Sequence, residues 1–193
     1  MKNLSKKVPL SLTNHKEKDL LVWVDLEMTG LDPQEHVIIE IACLITDGSL
    51  NLVAEGPEIV IHYPETILQK ADQWSYEQHS KSGLLDRSRQ SKVDLKEAET
   101  QLLEFLGKYM QPRTSPLAGN SVWQDRRFLI KYMPRLEAFF HYRIVDVSSV
   151  KELVRRWYPN LPEFKKNKAH SSLADIYESI AELRYYRERV FVP

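Results

Sequence analysis

Only one cysteine, Cys43, occurs in the chain, so no intrachain disulfide can form and a cysteine-rich zinc site is excluded. It lies inside the apolar run 37–46, which reads as a buried thiol in a reducing compartment. Long apolar runs are missing as well. The best, VIIEIACLIT, is broken by Glu40 and falls short of the roughly eighteen residues that a membrane helix needs. Net charge is also absent, since 27 Lys and Arg balance 27 Asp and Glu. A neutral chain is poorly suited to long nucleic acids, whose sequence-independent binding draws on many phosphate contacts, so any nucleic-acid ligand is expected to be short. What is present is an ordinary globular composition, 42% hydrophobic and 28% charged over 193 residues, enough for one domain. The expectation is a soluble, cytoplasmic, single-domain protein.

The neutral total hides an uneven distribution. Residues 126–168 carry 11 basic against 4 acidic groups, whereas residues 1–125 carry 13 against 19. A basic segment beside acidic ones can hold an anionic substrate near a carboxylate site. Scattered, solvated charge would give the same composition. Residues 1–19 hold five Lys, few large apolar residues and the breakers Pro9, Ser11, Thr13 and Asn14, and are expected to form a flexible tail. The domain then runs over residues 20–193.

Apolar, β-branched runs predict strands at 20–27, 37–46 and within 50–62, the last two joined by a turn at Asp47-Gly48-Ser49. A stripe of Leu95, Ala98, Leu102, Phe105 or Leu106, and Tyr109 predicts a helix at 94–109. A short apolar piece, 116–119, leads to a helix at about 123–133. A strand at 142–147, a helix at 148–157 and a last helix from Ser171 or Ser172 toward Arg189 follow. Three strands followed by alternating helices and strands imply an α/β fold. Its mixed sheet is an antiparallel three-strand meander plus parallel strands, flanked by helices.

The chemistry concentrates at ends of these elements. Asp25 and Glu27 are two apart on a predicted strand and so point to one face. Two such carboxylates repel and are costly to desolvate unless a cation or proton compensates, which points to a hard divalent metal. A strand end where acids emerge into solvent is the plain alternative. Asp125 and Asp175 each fall in a first helical turn, where an acid suits the helix dipole in any case, and Ser172-x-x-Asp175 resembles a capping box. Four acids at the ends of successive elements form a stronger pattern than any one. His170, five residues before Asp175, would sit about 140° from it on a continuous helix. It is therefore expected in the loop before the helix, as a base that titrates near neutrality.

Asp25-x-Glu27, Asp125, His170 and Asp175, in this order and context, resemble the DEDDh 3′→5′ exonucleases, whose fold is ribonuclease-H-like. VWVDLEMTGLD, LAGNSVWQDRRFL, HYRIVDVSSVKEL and RRWYP narrow the resemblance to the oligoribonuclease family, over about residues 21–189. The resemblance implies two divalent cations per active site, Mg²⁺ or Mn²⁺, held by Asp25, Glu27, Asp125 and Asp175, with His170 as general base. It implies very short RNA as substrate, down to dinucleotides, cut to 5′-mononucleotides. Leu31 and Trp74 would then contact bases, and Ser121, Arg143 and Ser148 would cap the 5′ phosphate. It further implies a homodimer in which His79 and Tyr142 approach the partner subunit's site, with no other obligate protein partner.

One departure stands out. The family usually reads His-x-Ala-Leu-Asp-Asp-Ile, and here the first of the paired aspartates is Ala174, while the ligand position, Asp175, is kept. Three other readings compete. A DEDDh exonuclease of the proofreading or RNA-trimming type, acting on longer strands, is disfavoured by the HYRIVDVSS segment. A haloacid-dehalogenase-type phosphatase would want an aspartate where Glu27 stands. A catalytically dead RNA-binding module has no need of all five catalytic groups.

Overall fold

The computed structural model describes residues 19–165 and 171–191. The expected tail, apart from Asp19, and His170 lie outside the described residues. The chain opens with β1 (Leu21–Met28), β2 (Ile38–Thr46) and β3 (Leu52–Val60). Four helices follow: α1 (Glu65–Leu68), α2 (Gln73–Lys81), α3 (Leu84–Gln90) and α4 (Leu95–Leu106). Then come β4 (Pro116–Gly119), α5 (Val122–Tyr132), α6 (Pro134–Phe139), β5 (His141–Asp146), α7 (Val147–Trp157) and α8 (Ser172–Arg189).

One five-stranded sheet runs in the order β3-β2-β1-β4-β5. Its first three strands are antiparallel and β1, β4 and β5 are parallel, as the element order implied. The expected turn between β2 and β3 forms around Asp47, whose Oδ1 accepts from the Ser49 and Asn51 amides. Because β1, β4 and β5 are parallel, their carboxyl ends share one edge of the sheet, the usual place for ligands in α/β folds.

Strand β2 is buried along its whole length, the mark of a strand covered on both faces. The pleat of β1 sends Val22, Val24 and Leu26 into a core shared with Ala98 and Leu102 of α4 and Phe128 and Leu129 of α5. Trp23 faces the other way and packs with Ile176 and Ile180 of α8. Asp25 and Glu27 share Trp23's face by the same alternation. The apolar periodicity that packs β1 therefore also aims its two acids at α8.

Helices α1, α2, α3 and α6 were not legible in the sequence. Each spans nine residues or fewer, too short for a helical repeat to stand out. They are fixed instead by caps and junctions. Asp72 accepts the Ser75 amide at the start of α2, and Gly83, with φ of 73°, turns the chain between α2 and α3. The aromatic run 139–142 is divided: Phe140 is core, whereas Tyr142 is exposed.

Candidate active site

Asp25, Glu27 and Asp175 each place a carboxylate oxygen within 4.8 Å of the others. At that separation each ionised pair repels by about 3–4 kcal/mol for an effective dielectric constant near 20. Burial pushes the Glu27 carboxyl up to about 7, and the negative charges of Glu40 and Asp175 add to the rise while Arg87 opposes it. The shift marks a carboxyl that is costly to ionise, from burial first and the neighbouring acids second. Three hard oxygen donors so arranged fit a divalent cation of the Mg²⁺ or Mn²⁺ type.

Asp175 owes its place to a residue the sequence did not single out. Glu40 pairs with Glu27 across β1 and β2 and is fully buried. Its Oε2 accepts from the Ser172 hydroxyl at 2.9 Å and from the Ser172 amide at 3.3 Å. Arg87 Nη2 lies 2.9 Å from Oε1, an ion pair not aligned as a hydrogen bond. Glu40 thus clamps the first turn of α8 against the sheet. The expected capping box is corrected accordingly: Ser171 is the N-cap, accepting the Ala174 amide, because the Ser172 hydroxyl is turned to Glu40.

Asp125 sits in the first turn of α5, beside the three clustered acids but not among them. Its Oδ1 accepts the Leu26 amide at 3.0 Å, between the two strand acids. Burial raises its pKa first of all; hydrogen bonds from its own and the Leu26 amides oppose this, and the charges of Glu27 and Asp146 add to it. Gly119 at the end of β4 lets that strand approach β1 closely, since a Cβ there would meet Val24 O at 2.9 Å.

Leu31 and Trp74 are each 65% exposed. They flank one junction, where the Asp72 amide donates to Thr29 O at 2.9 Å. His79 is buried and makes a second tie, its Nε2 donating to Met28 O at 2.8 Å while Nδ1 lies 3.9 Å from Glu27 Oε2. The structure thus places His79 under the end of β1. On the other side, Gln124 Nε2 donates to Leu31 O, and the Tyr132 hydroxyl lies 2.6 Å from His36 O. The loop that presents Leu31 is therefore pinned to α5, the helix that carries Asp125.

Ser121 and Ser148 follow the carboxyl ends of β4 and β5, whereas Arg143 is the third residue of β5. Ser121 has the left-handed backbone, φ 56°, and its amide donates to Asp146 Oδ1 at 3.0 Å. The same oxygen accepts the Ser148 amide at 2.9 Å and the Ser148 hydroxyl at 2.6 Å. Arg143 is exposed on the edge strand with its guanidinium 5.0 Å from the Tyr142 ring centre, and Tyr142 itself is 70% exposed. Like Glu40, Asp146 was missed in the sequence. A single acid at a strand end carries no signal until its donors are known.

A family described as an RNase T exonuclease matches residues 22–183. The oligoribonuclease of Marinobacter nauticus is 58% identical over 174 residues, which is 90% of this chain and 97% of that protein. Those of Vibrio cholerae and Pseudomonas aeruginosa are both 57% identical, over 89% and 87% of this chain and 95% and 94% of theirs. Among solved structures, E. coli exonuclease I with a dT13 oligonucleotide superposes with a TM-score of 0.68 at 14% identity. The exonuclease I of Methylocaldum szegediense does so with 0.67 at 19%. In both cases the match covers 89% of this chain but only 41% of the larger protein. These distant likenesses carry the fold alone, and it is the ribonuclease-H-like one. The acids gathered at the carboxyl edge of the sheet and the identity along nearly the whole domain lead to one conclusion: the chain belongs to the oligoribonuclease family of exonucleases.

Proposed function

We propose that this protein is a metal-dependent 3′→5′ exoribonuclease that degrades RNAs of a few nucleotides, dinucleotides above all, to 5′-mononucleotides. The observation that carries this is the layout of the carboxyl edge. The acids of β1 lie one strand from Ser121, which follows β4, and two strands from Arg143 and Ser148, on and just after β5. At about 4.8 Å per strand the larger separation is about 10 Å, a reach that a dinucleotide covers. A longer RNA would have to carry its extra nucleotides past the same end.

Two Mg²⁺ or Mn²⁺ ions held by Asp25, Glu27, Asp125 and Asp175 would offset charge at the scissile phosphate and lower the pKa of the attacking water. His170 takes the proton from that water. Leu31 and Trp74 present apolar and aromatic surface to the bases, and stacking of this kind tolerates any sequence. Arg143 supplies a charge-assisted bond to the 5′ phosphate, with Ser121 and Ser148 completing its surroundings. His79 holds the end of β1 and Glu27 in place from beneath.

The proposed assembly is a homodimer formed through β5. That strand is one of the sheet's two edges and exposes Tyr142 and Ile144, and the α5 helix packed on it exposes Trp123 and Ile130. An apolar edge of this kind is a ready interface, and it would bring Tyr142 toward the partner's site. Sedimentation should give twice the chain mass of 22.6 kDa. A monomer at micromolar concentration would remove this part. The decisive experiment for activity is manganese-dependent digestion of 5′-labelled RNAs from two to seven nucleotides. Fastest turnover of the dinucleotide supports the proposal. Faster turnover of the heptamer would make the enzyme a longer-strand exonuclease, and cleavage in chelator would sink the metal mechanism.

A further inference from the structure

The proposed phosphate end contains a carboxylate, which a phosphate should repel, and its placement needs a reason. Asp146 Oδ1 takes three donors from two separate segments: the Ser121 amide after β4, and the Ser148 amide and hydroxyl at the start of α7. Gly119 and Asp146 are register partners in the parallel pair β4–β5, so the two segments emerge side by side at the same level. Nothing in that pairing fixes the segments to each other beyond the strand ends. The Asp146 carboxylate does.

Ser121 shows that the tie carries load. A non-glycine residue in the left-handed region costs about 1–2 kcal/mol, and Ser121 offers α5 no side-chain cap in return. Such a conformation persists only where the surroundings over-determine it. Asp146 holds its amide, and Asn120, one residue earlier, donates through Nδ2 to the buried Glu182 of α8 at 2.9 Å. The left-handed turn is therefore clamped on both sides. Three donors also offset the Asp146 charge internally, which lowers its penalty beside an anion.

We propose that Asp146 is the positioning residue of the 5′-phosphate end: its one oxygen sets the Ser121 and Ser148 segments in a fixed relation, and that relation produces the preference for a 5′-phosphorylated dinucleotide. This rests on the reading of Ser121, Arg143 and Ser148 as a phosphate cap. When a phosphate arrives, the Ser148 hydroxyl can turn its proton to it while the two amides keep their hold on Asp146. The role requires an acceptor long enough to span both segments. It does not require a charge.

The plain alternative is that Asp146 is only the N-cap of α7. Two variants separate the roles. Asp146→Ser keeps a good N-cap but is too short to reach Ser121 as well, whereas Asp146→Asn keeps the spanning oxygen. The readout is the ratio of kcat/KM for 5′-phosphorylated over unphosphorylated diadenylate in saturating manganese. We expect Asp146→Ser to lower that ratio by about tenfold, mostly through KM, and Asp146→Asn to hold it within about threefold of the parent. An unchanged ratio in Asp146→Ser, or a collapse in Asp146→Asn equal to that in Asp146→Ser, overturns the proposal. If Asp146→Ser does not fold, Asp146→Gly, which caps only a few tenths of a kcal/mol less well, decides by the same criterion. Arg143→Ala runs alongside. If it too leaves the ratio intact, the cap itself is wrong. If it alone lowers the ratio, the cap stands and only the role of Asp146 falls.

Discussion

The two ends of the carboxyl edge treat half-buried negative charge in opposite ways. Around Asp25, Glu27 and Asp175, acids are brought within 4.8 Å of one another and the Glu27 carboxyl rises to about 7. Around Ser121 and Ser148, the single acid Asp146 is met by three hydrogen-bond donors. The first region concentrates charge of one sign, a setting that suits a divalent cation. In the second, one acid joins the segment after β4 to the start of α7. Acids at one sheet edge therefore differ in meaning according to whether other acids or hydrogen-bond donors are packed around them.

If that contrast is right, damage at the metal end should cost the most. Asp25→Ala or Asp175→Ala should lower kcat by about 10³-fold or more, the scale of several kcal/mol of transition-state stabilisation from bound metal. The fold should survive, because a source of repulsion is removed. Near-parental turnover of either variant in saturating manganese would remove the metal assignment. His170→Ala should cost about 10²–10⁴-fold and flatten the rise of activity with pH near neutrality, as loss of a positioned base does. An unchanged pH profile would exclude His170 from that role.

The other end should respond in binding. Arg143→Ala should weaken a 5′-phosphorylated dinucleotide by about 10–100-fold, the worth of a charge-assisted hydrogen bond, and change the unphosphorylated one little. Competition between two-mers and seven-mers, with and without the phosphate, measures it. Glu40 tests the clamp between the sheet and α8. Glu40→Ala should destabilise by about 1–3 kcal/mol by leaving the Ser172 donors unmet, which calorimetry reads as a lower Tm. It should also raise the manganese concentration needed for half-maximal activity, since Asp175 rides on that turn.

The smallest expected effect is on metal-free stability. Folded Glu27 keeps its proton up to about 7, while an unfolded glutamate releases it near 4.5. Between those values the native state binds more protons, so stability falls as pH rises. Without metal, Tm should drop by a few degrees from pH 5 to pH 8, and Glu27→Gln should remove part of the drop. Manganese should restore Tm more at pH 8 than at pH 5. A metal-free Tm that climbs over this range would contradict the buried-charge account.

Much of this was legible beforehand, for identifiable reasons. β1, β2, α4, α5 and α8 are long enough for their apolar period to declare itself, and Asp25-x-Glu27 needs only the pleat to put both acids on one face. The short helices α2 and α3 gave no such signal, although α2 carries Trp74 and His79 into position and α3 carries Arg87. Ser172 was legible as a helix start but not as a donor to Glu40, because its partner lies 132 residues away.

The sequence by itself determined the strands and long helices, the mixed sheet and the family, because periodicity and local motifs are properties of neighbours along the chain. Tertiary structure alone decided which acids meet. Asp175 joins Asp25 and Glu27 because Glu40 fastens α8 to β2, Asp125 turns to the Leu26 amide, and Asp146 ties the ends of β4 and β5. Those outcomes depend on hydrogen bonds between residues far apart in the chain, and only the packed sheet brings such partners within reach of each other.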